Sequence, residues 1–170
     1  MLPNSHQRKQ IRDVVKSVLT DETAAEKNVF VNQYLSLPQD QLPAICIYTG
    51  KEQSDIFNNQ MLKRTLTLSV EIHTSKRTQD GMVEELELIA AECEQALLQH
   101  EDLDGNCDKL SLVSTDIIIK TDGDEPMGAA LLSYNVEYYT LHVADTPATN
   151  ATQTKLYYEN NTEGKVDLPQ

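Results

Sequence analysis

Histidine and cysteine side chains are the first candidates for catalysis or metal binding, and in this sequence they are scattered. They are His6, His73, His100, His142, Cys46, Cys93 and Cys107. No pair has the spacing of a CxxC or HExxH motif, which would place two ligands on one metal ion. The motifs GxGxxG, GxxxxGK[ST] and GxSxG do not occur either. The sequence therefore predicts no catalytic residue, no metal ligand and no cofactor.

A short acidic turn also brings oxygen ligands together. Asp122, Asp124 and Glu125 lie in the stretch TDGDEPMG, whose Gly, Asp and Pro content predicts a turn. The stretch lacks the spacing and the closing glutamate of an EF-hand calcium loop. A solvated turn is the favoured interpretation, and a calcium site is the alternative.

Charge is unevenly distributed along this acidic chain. Its 170 residues include 14 Lys and Arg against 27 Asp and Glu, a formal net charge of −13. A sequence-independent binder of duplex nucleic acid needs a basic footprint for phosphate, so the composition excludes that class. Between Arg77 and Lys109 there are ten acids and no Lys or Arg. Most of the excess negative charge therefore lies in one window.

The first predicted helix has the opposite character, with a basic stripe beside its apolar face. The stripe and the acidic window are either solvated surfaces or the two halves of a contact between copies. In the second case the basic helix of one copy faces the acidic helix of the next, a heterologous contact that can close into a ring. The candidates for this ring interface are Arg8, Lys9, Arg12, Lys16, Glu84, Glu85, Leu88 and Glu92.

The elements that must position these residues follow from hydrophobic periodicity. Apolar residues at helical spacing predict a helix capped by Ser5 and ending near Leu19, and a second from Asp80 to Leu98. Apolar runs and alternation predict strands at Val29–Leu35, Ala44–Tyr48, 65–73, Lys109–Lys120 and Ala129–Val143, with a bulge near Ser114. The order α-β-β-β-α-β-β predicts an α+β domain with two amphipathic helices on one face of a mostly antiparallel sheet.

A polar stretch from Gly50 to Leu62 is predicted to be a long loop between two strands. Loops of this length are usually functional or disordered. Its apolar residues either anchor a partner or pack back on the domain. The candidates for a loop that binds a tube or a neighbour are Lys51, Asp55, Ile56, Phe57 and Met61.

Composition divides the chain into a domain over residues 1–143 and a polar extension over residues 144–170. The extension is rich in Thr and Asn and is expected to be mobile or bound to a partner. No apolar run is long enough to span a bilayer, and the sequence MLPNSHQRK lacks the apolar region of a secretory signal. We therefore expect a reducing cytoplasm, with the thiols buried and no membrane partner.

Four stretches together resemble phage tail terminator proteins, the family of minor tail protein U in lambda-like phages. They are HQRKQIRDVVKSVL (residues 6–19), LPAICIYTG (42–50), RTLTLSVEIH (64–73), and the acidic helix with its following strands through PMGAALL (126–132). The similarity covers roughly residues 5–143. It lies in the order of helices and strands and in short stretches of similar sequence. It includes no catalytic signature.

The resemblance implies a structural protein of the virion that has no enzymatic activity. Members form a homohexameric ring on the last ring of the tail tube, stop tube polymerisation, and present the other face to the head–tail connector or neck protein. Such a protein lies at the top of the tail in the virion, and in the host cytoplasm during assembly. Genome DNA passes through the ring without specific binding, and acids lining the lumen would repel phosphate. The lumen candidates are Glu71, Asp122, Asp124 and Glu125.

Three other functions fit parts of the sequence. An acidic regulatory module that mimics DNA charge accounts for the net charge of −13. Such mimics spread acids over their surface, whereas here most of the excess lies in one window. A neighbouring head–tail joining protein is a second alternative. An enzyme with a site assembled from scattered residues is the third, and the lack of convergent nucleophile, histidine and carboxylate motifs disfavours it.

Overall fold

A computed structural model describes residues 6–34, 36–120 and 127–141 of the chain. These residues form two α-helices and five strands, with a short 3-10 turn at Gln39–Gln41 before the second strand. In chain order the elements are α1 (Gln7–Leu19), β1 (Val29–Val31), β2 (Ala44–Ile56), β3 (Met61–Thr74), α2 (Gln79–Leu98), β4 (Lys109–Lys120) and β5 (Met127–Leu141). The predicted α+β class and the order of helices and strands are confirmed.

The strands form one sheet in the order β1-β2-β3-β5-β4. β1 is parallel to β2, and the other neighbouring pairs are antiparallel. α1 packs on β1 and β2, α2 packs on β3, β5 and β4, and the helices also contact each other. Every second residue of β3 from Leu66 to Thr74 is buried beneath the helices, as the sequence alternation predicted. One hydrophobic core lies between the helices and the sheet.

Side-chain caps fix the start of each helix. The α1 cap is His6, whose Nδ1 accepts a hydrogen bond from the Arg8 backbone N–H at 3.2 Å. The helical pattern predicts a cap at Ser5, which lies outside the described residues. Thr78 caps α2, and its Oγ1 accepts from the Gly81 N–H at 3.2 Å. Neither helix is long and apolar enough to cross a bilayer, within the part of the chain that the structure describes.

The prediction of a long loop from Gly50 to Leu62 is wrong, because most of this stretch forms a β-hairpin. β2 continues to Ile56, β3 begins at Met61, and their residues pair from Glu52↔Leu66 to Ile56↔Leu62. Both faces of this extension are largely solvated, so its side chains show no apolar alternation in the sequence. β-pairing and ion pairs stabilise the hairpin instead, and two of the ion-pair partners, Arg8 and Glu137, are distant in sequence.

Other boundaries also differ from those predicted. β1 ends at Val31 rather than Leu35, β5 begins at Met127 and ends at Leu141, and the bulge predicted near Ser114 is confirmed by a register shift between Leu112 and Ser114. The acidic turn at residues 121–126 and residues 142–170 lie outside the described residues.

Gly128 allows α2 to pack closely on the sheet. A Cβ at this position would lie 2.9 Å from Leu86 Cδ1 and 3.0 Å from Ile119 Cδ1, and Leu86 is fully buried. We therefore expect Gly128→Ala to lower the free energy of unfolding by about 1 kcal/mol or more, through overpacking. Urea unfolding measures this. Gly50→Ala is the matched control, since a Cβ there meets Thr67 only at 3.8 Å. Equal stability of the two variants would contradict the close packing.

Candidate functional site

A cysteine, a histidine and a carboxylate meet on the face of the sheet opposite the helices. Cys46 on β2 pairs with Glu71 on β3, and His73 Nε2 lies 3.5 Å from a Glu71 carboxylate oxygen. This resembles the set of groups from which nucleophilic sites are built. Burial raises the pKa of the Cys46 thiol, however, so the sulfur is protonated at neutral pH. The cluster therefore lacks an activated thiolate.

An open cavity of about 340 Å³ adjoins this cluster. Its walls include Tyr34, Leu42 and Met127, and the rings of Tyr34 and Tyr48 lie 5.4 Å apart. The Tyr48 hydroxyl donates to the Gln33 carbonyl. Within the described ranges, no three His, Cys, Asp or Glu side chains are placed to hold a metal ion. The cavity thus combines aromatic and aliphatic walls with the polar side chains of Cys46, Glu71 and His73.

The lumen candidates fall in two places. Glu71 is half-exposed on the face opposite the helices, close to His73. Asp122, Asp124 and Glu125 lie outside the described residues.

The basic stripe of α1 is partly engaged within the chain. Arg8 donates from Nη2 to the Thr49 and Gly50 carbonyls at 3.2 and 2.7 Å. Arg12 Nη1 donates to Thr49 Oγ1 at 2.5 Å. These contacts attach α1 to β2, so neither arginine is a freely solvated interface cation. Lys9 forms an exposed ion pair with Asp13 on the next turn, and Lys16 is exposed.

The acidic candidates of α2 also divide into engaged and exposed groups. Glu85 accepts from Thr74 Oγ1 and pairs with Lys76 Nζ at 2.9 Å. Glu92 accepts from the Ala24 N–H at 2.8 Å. These two carboxylates therefore stabilise the fold. Glu84 and Leu88 point to solvent.

The hairpin carries its apolar candidates at the tip. Ile56 is 76% exposed and Phe57 57% exposed, although the Phe57 ring contacts Tyr139 edge-on with centroids 4.8 Å apart. Met61 is half-buried and pairs with the exposed Leu141 on β5. We call Ile56, Phe57 and Met61 the hairpin tip, which Tyr139 and Leu141 of β5 adjoin.

Ion pairs support the hairpin below its tip. Glu52 lies between two arginines, 3.9 Å from Arg8 and 3.5 Å from Arg64, and Lys63 pairs with Glu137 at 2.9 Å. The candidates Lys51 and Asp55 are exposed on β2. The tip is therefore presented on a paired, charge-braced hairpin rather than on a loose loop.

An apolar groove that the sequence pattern does not predict lies between α2 and β4. It has a volume of about 390 Å³, and Leu98, Leu110, Leu112 and Tyr134 supply much of its lining. Leu98 is 67% exposed and Leu112 44% exposed, so large aliphatic side chains remain open to solvent on both sides. We call this feature the α2–β4 groove.

An exposed stripe on α2 leads into the α2–β4 groove. Leu88, Ala91, Gln95 and Leu98 recur at spacings of three and four residues, which places them on one helix face, and all four are exposed. Leu88, a candidate from the sequence, is thus one member of a longer surface. The helical spacing of Leu88 and Leu98 was the signal that could have revealed it.

β4 is an exposed edge strand with unusual composition. Leu112, Val113, Ile117 and Ile118 are all exposed, and Asp116 is the one charged residue between the terminal lysines of the strand. Soluble proteins usually protect long edge strands with charges, proline or a covering element. This edge and the adjoining groove therefore form one exposed apolar surface.

Comparisons with known proteins add no family or relative. No protein-family model matches the chain. The search of curated proteins finds no match either.

Proposed function

We propose that this chain is a structural virion protein, a tail terminator. Six copies would form a ring that caps the tail tube, stops its polymerisation, and meets the head–tail connector or neck protein on the other face. Genome DNA would pass through the centre without specific binding.

The observation that carries this proposal is that the chain presents two different apolar surfaces. One is the hairpin tip, and the other is the α2–β4 groove with its exposed edge strand. A two-fold dimer needs a single self-complementary patch, whereas a ring needs two unlike patches on each copy. The confirmed order of helices and strands also agrees with the resemblance to tail terminators.

The chemistry of the domain supports an assembly role over catalysis. The cluster of Cys46, Glu71 and His73 has a protonated thiol rather than a nucleophile. Acids exposed around a ring would keep DNA from adhering to its lumen, because like charges repel at short range. Glu71 is the described candidate for such a position.

The ring is tested by measuring the mass of the purified chain, first alone in solution and then in the presence of tail tubes. A 19.1 kDa chain should give a closed species of about 115 kDa, visible as rings by negative-stain microscopy. High protein concentration or addition of tubes should favour it. Tube length in an assembly reaction provides the functional measurement, since a terminator should yield tubes that no longer elongate.

Two other results would contradict the terminator. A chain that remains monomeric under all these conditions and inhibits a DNA-binding enzyme would be an acidic DNA mimic. A ring that binds the connector but leaves tube elongation unchanged would be a head–tail joining protein.

A further inference from the structure

Beneath the lining of the α2–β4 groove lies an unused hydrogen-bond donor. Tyr134 is 4% exposed and lines the groove, and its hydroxyl has no partner among the described residues. A buried hydroxyl normally finds an acceptor. Leaving it unsatisfied costs free energy, which an oxygen atom of an occupant would recover once the side chains that cover the hydroxyl move aside on docking. The groove is therefore suited to an occupant with an apolar side chain next to a backbone carbonyl or an amide.

The hairpin tip has this chemistry. Phe57 and Ile56 precede a turn through Asn58 and Asn59, so aromatic and aliphatic groups stand beside carbonyl and amide oxygens. A phenylalanine ring also buries a large area in one rigid unit, which makes it effective as an anchor.

A chain cannot place this tip in its own groove. β3 and β5 pair without interruption from Met61↔Leu141 to Thr74↔Gly128, and β5 separates the hairpin from β4. The first β4 pair is Lys109↔Glu137, so the tip projects about four residues, or roughly 13 Å, beyond the start of β4. Bending it back would break these pairs. The tip must come from a second copy.

Charge favours the same pairing. The α2 side of the groove lies within the acidic window, and Glu94 and Glu101 are part of the lining. The hairpin itself carries a small excess of the opposite sign. Its three cations are Lys51, Lys63 and Arg64, against the two acids Glu52 and Asp55, and Lys63 also pairs with Glu137 on β5. Opposite charge around an apolar contact speeds association and fixes its orientation.

We propose that the hairpin tip of one copy docks in the α2–β4 groove of the next copy, with Phe57 as its anchor. The contact joins unlike surfaces, so an open chain of copies retains one free groove and one free tip, at its two ends, until the ring closes. This assignment rests on the proposed function and names the contact that builds the ring. The docked tip would also cover the part of β4 that borders the groove.

Engineered cysteines test the pairing directly. Asn59→Cys places a thiol on the tip and Gln95→Cys places one on the groove lining, while the native Cys46, Cys93 and Cys107 are buried. Mixing a tagged Asn59→Cys chain with a Gln95→Cys chain under mild oxidation should give a disulfide-linked dimer containing both. Asp40→Cys, exposed on the 3-10 turn, is the control and should cross-link with neither.

The outcomes separate this contact from the function it serves. If rings form but the Asn59→Cys and Gln95→Cys chains do not cross-link, the proposed contact is wrong. The proposed terminator function is then unaffected. Cross-linking of Asn59→Cys chains with one another would overturn it in favour of a two-fold contact. A cross-link in open filaments that never close would support the contact and contradict the terminator ring.

Tyr134→Phe provides a second, independent measurement. Removing an unsatisfied hydroxyl should leave the unfolding midpoint unchanged or raised. Association should nevertheless weaken, by roughly three- to tenfold in dissociation constant, because the incoming acceptor loses its donor. Unchanged association in sedimentation experiments would overturn the part assigned to this hydroxyl.

Discussion

Replacing Leu98 and Leu112 together with aspartate is expected to keep the protein folded but monomeric. Both side chains are substantially exposed in a single copy, so their replacement removes little of the core. In the proposed ring they would flank an anchoring phenylalanine, where two carboxylates would lose apolar contact and add to the charge of Glu94 and Glu101. Central interface residues often contribute about 2 kcal/mol each, so we expect association to weaken more than about a hundredfold.

The matched control carries the same charge change outside the groove. Leu88→Asp with Ile118→Asp alters two residues of similar exposure, one on α2 and one on β4. Sedimentation velocity should show rings for this control and monomers for the groove variant, with equal circular dichroism for both. If both variants lose the ring, a wider area of α2 and β4 forms the contact. If both keep it, the groove is not an interface.

The predictable parts of this fold are those in which burial leaves a local period. α1, α2 and β3 each bury one side against the core, and their apolar spacing predicted their type and most of their bounds. β4 contributes only the partly buried Leu110 and Ile119 to the core, and its apolar composition predicted it as a strand. The bulge near Ser114 was also predictable, because it shifts apolar residues from one face of β4 to the other. In each case the information lies within a dozen or so neighbouring residues.

The hairpin and the groove depend on neighbours that are distant in sequence. The local sequence predicts that Glu52 belongs to a polar loop. The structure shows that it lies between Arg8 and Arg64, which pair with it from other elements. The exposure of Leu112 follows from β4 being at the sheet edge, and no local pattern determines strand order. The same limit applies to Arg8 and Arg12, which read as a solvated stripe although they bind β2.

Alkaline pH is expected to unfold this protein through its buried thiols. Burial raises the pKa of Cys93 to about 12 and that of Cys107 to about 11. In the unfolded chain a thiol titrates near pH 8.5, so above that value the unfolded state loses protons that the folded state retains. The free energy of unfolding should therefore fall as the pH rises from about 9 to about 11, by roughly 1.4 kcal/mol per pH unit for each fully protonated buried thiol.

Cys93→Ala isolates one of these contributions. Because the alanine does not titrate, the slope of unfolding free energy against pH should become shallower by roughly 1.4 kcal/mol per unit over this interval. Ile89→Val is the control, since it removes a buried methyl from the same helix and should lower stability without changing the slope. Urea titrations at successive pH values give both slopes. An unchanged slope for Cys93→Ala would mean that this thiol ionises equally well in the folded chain, contrary to its burial against the sheet.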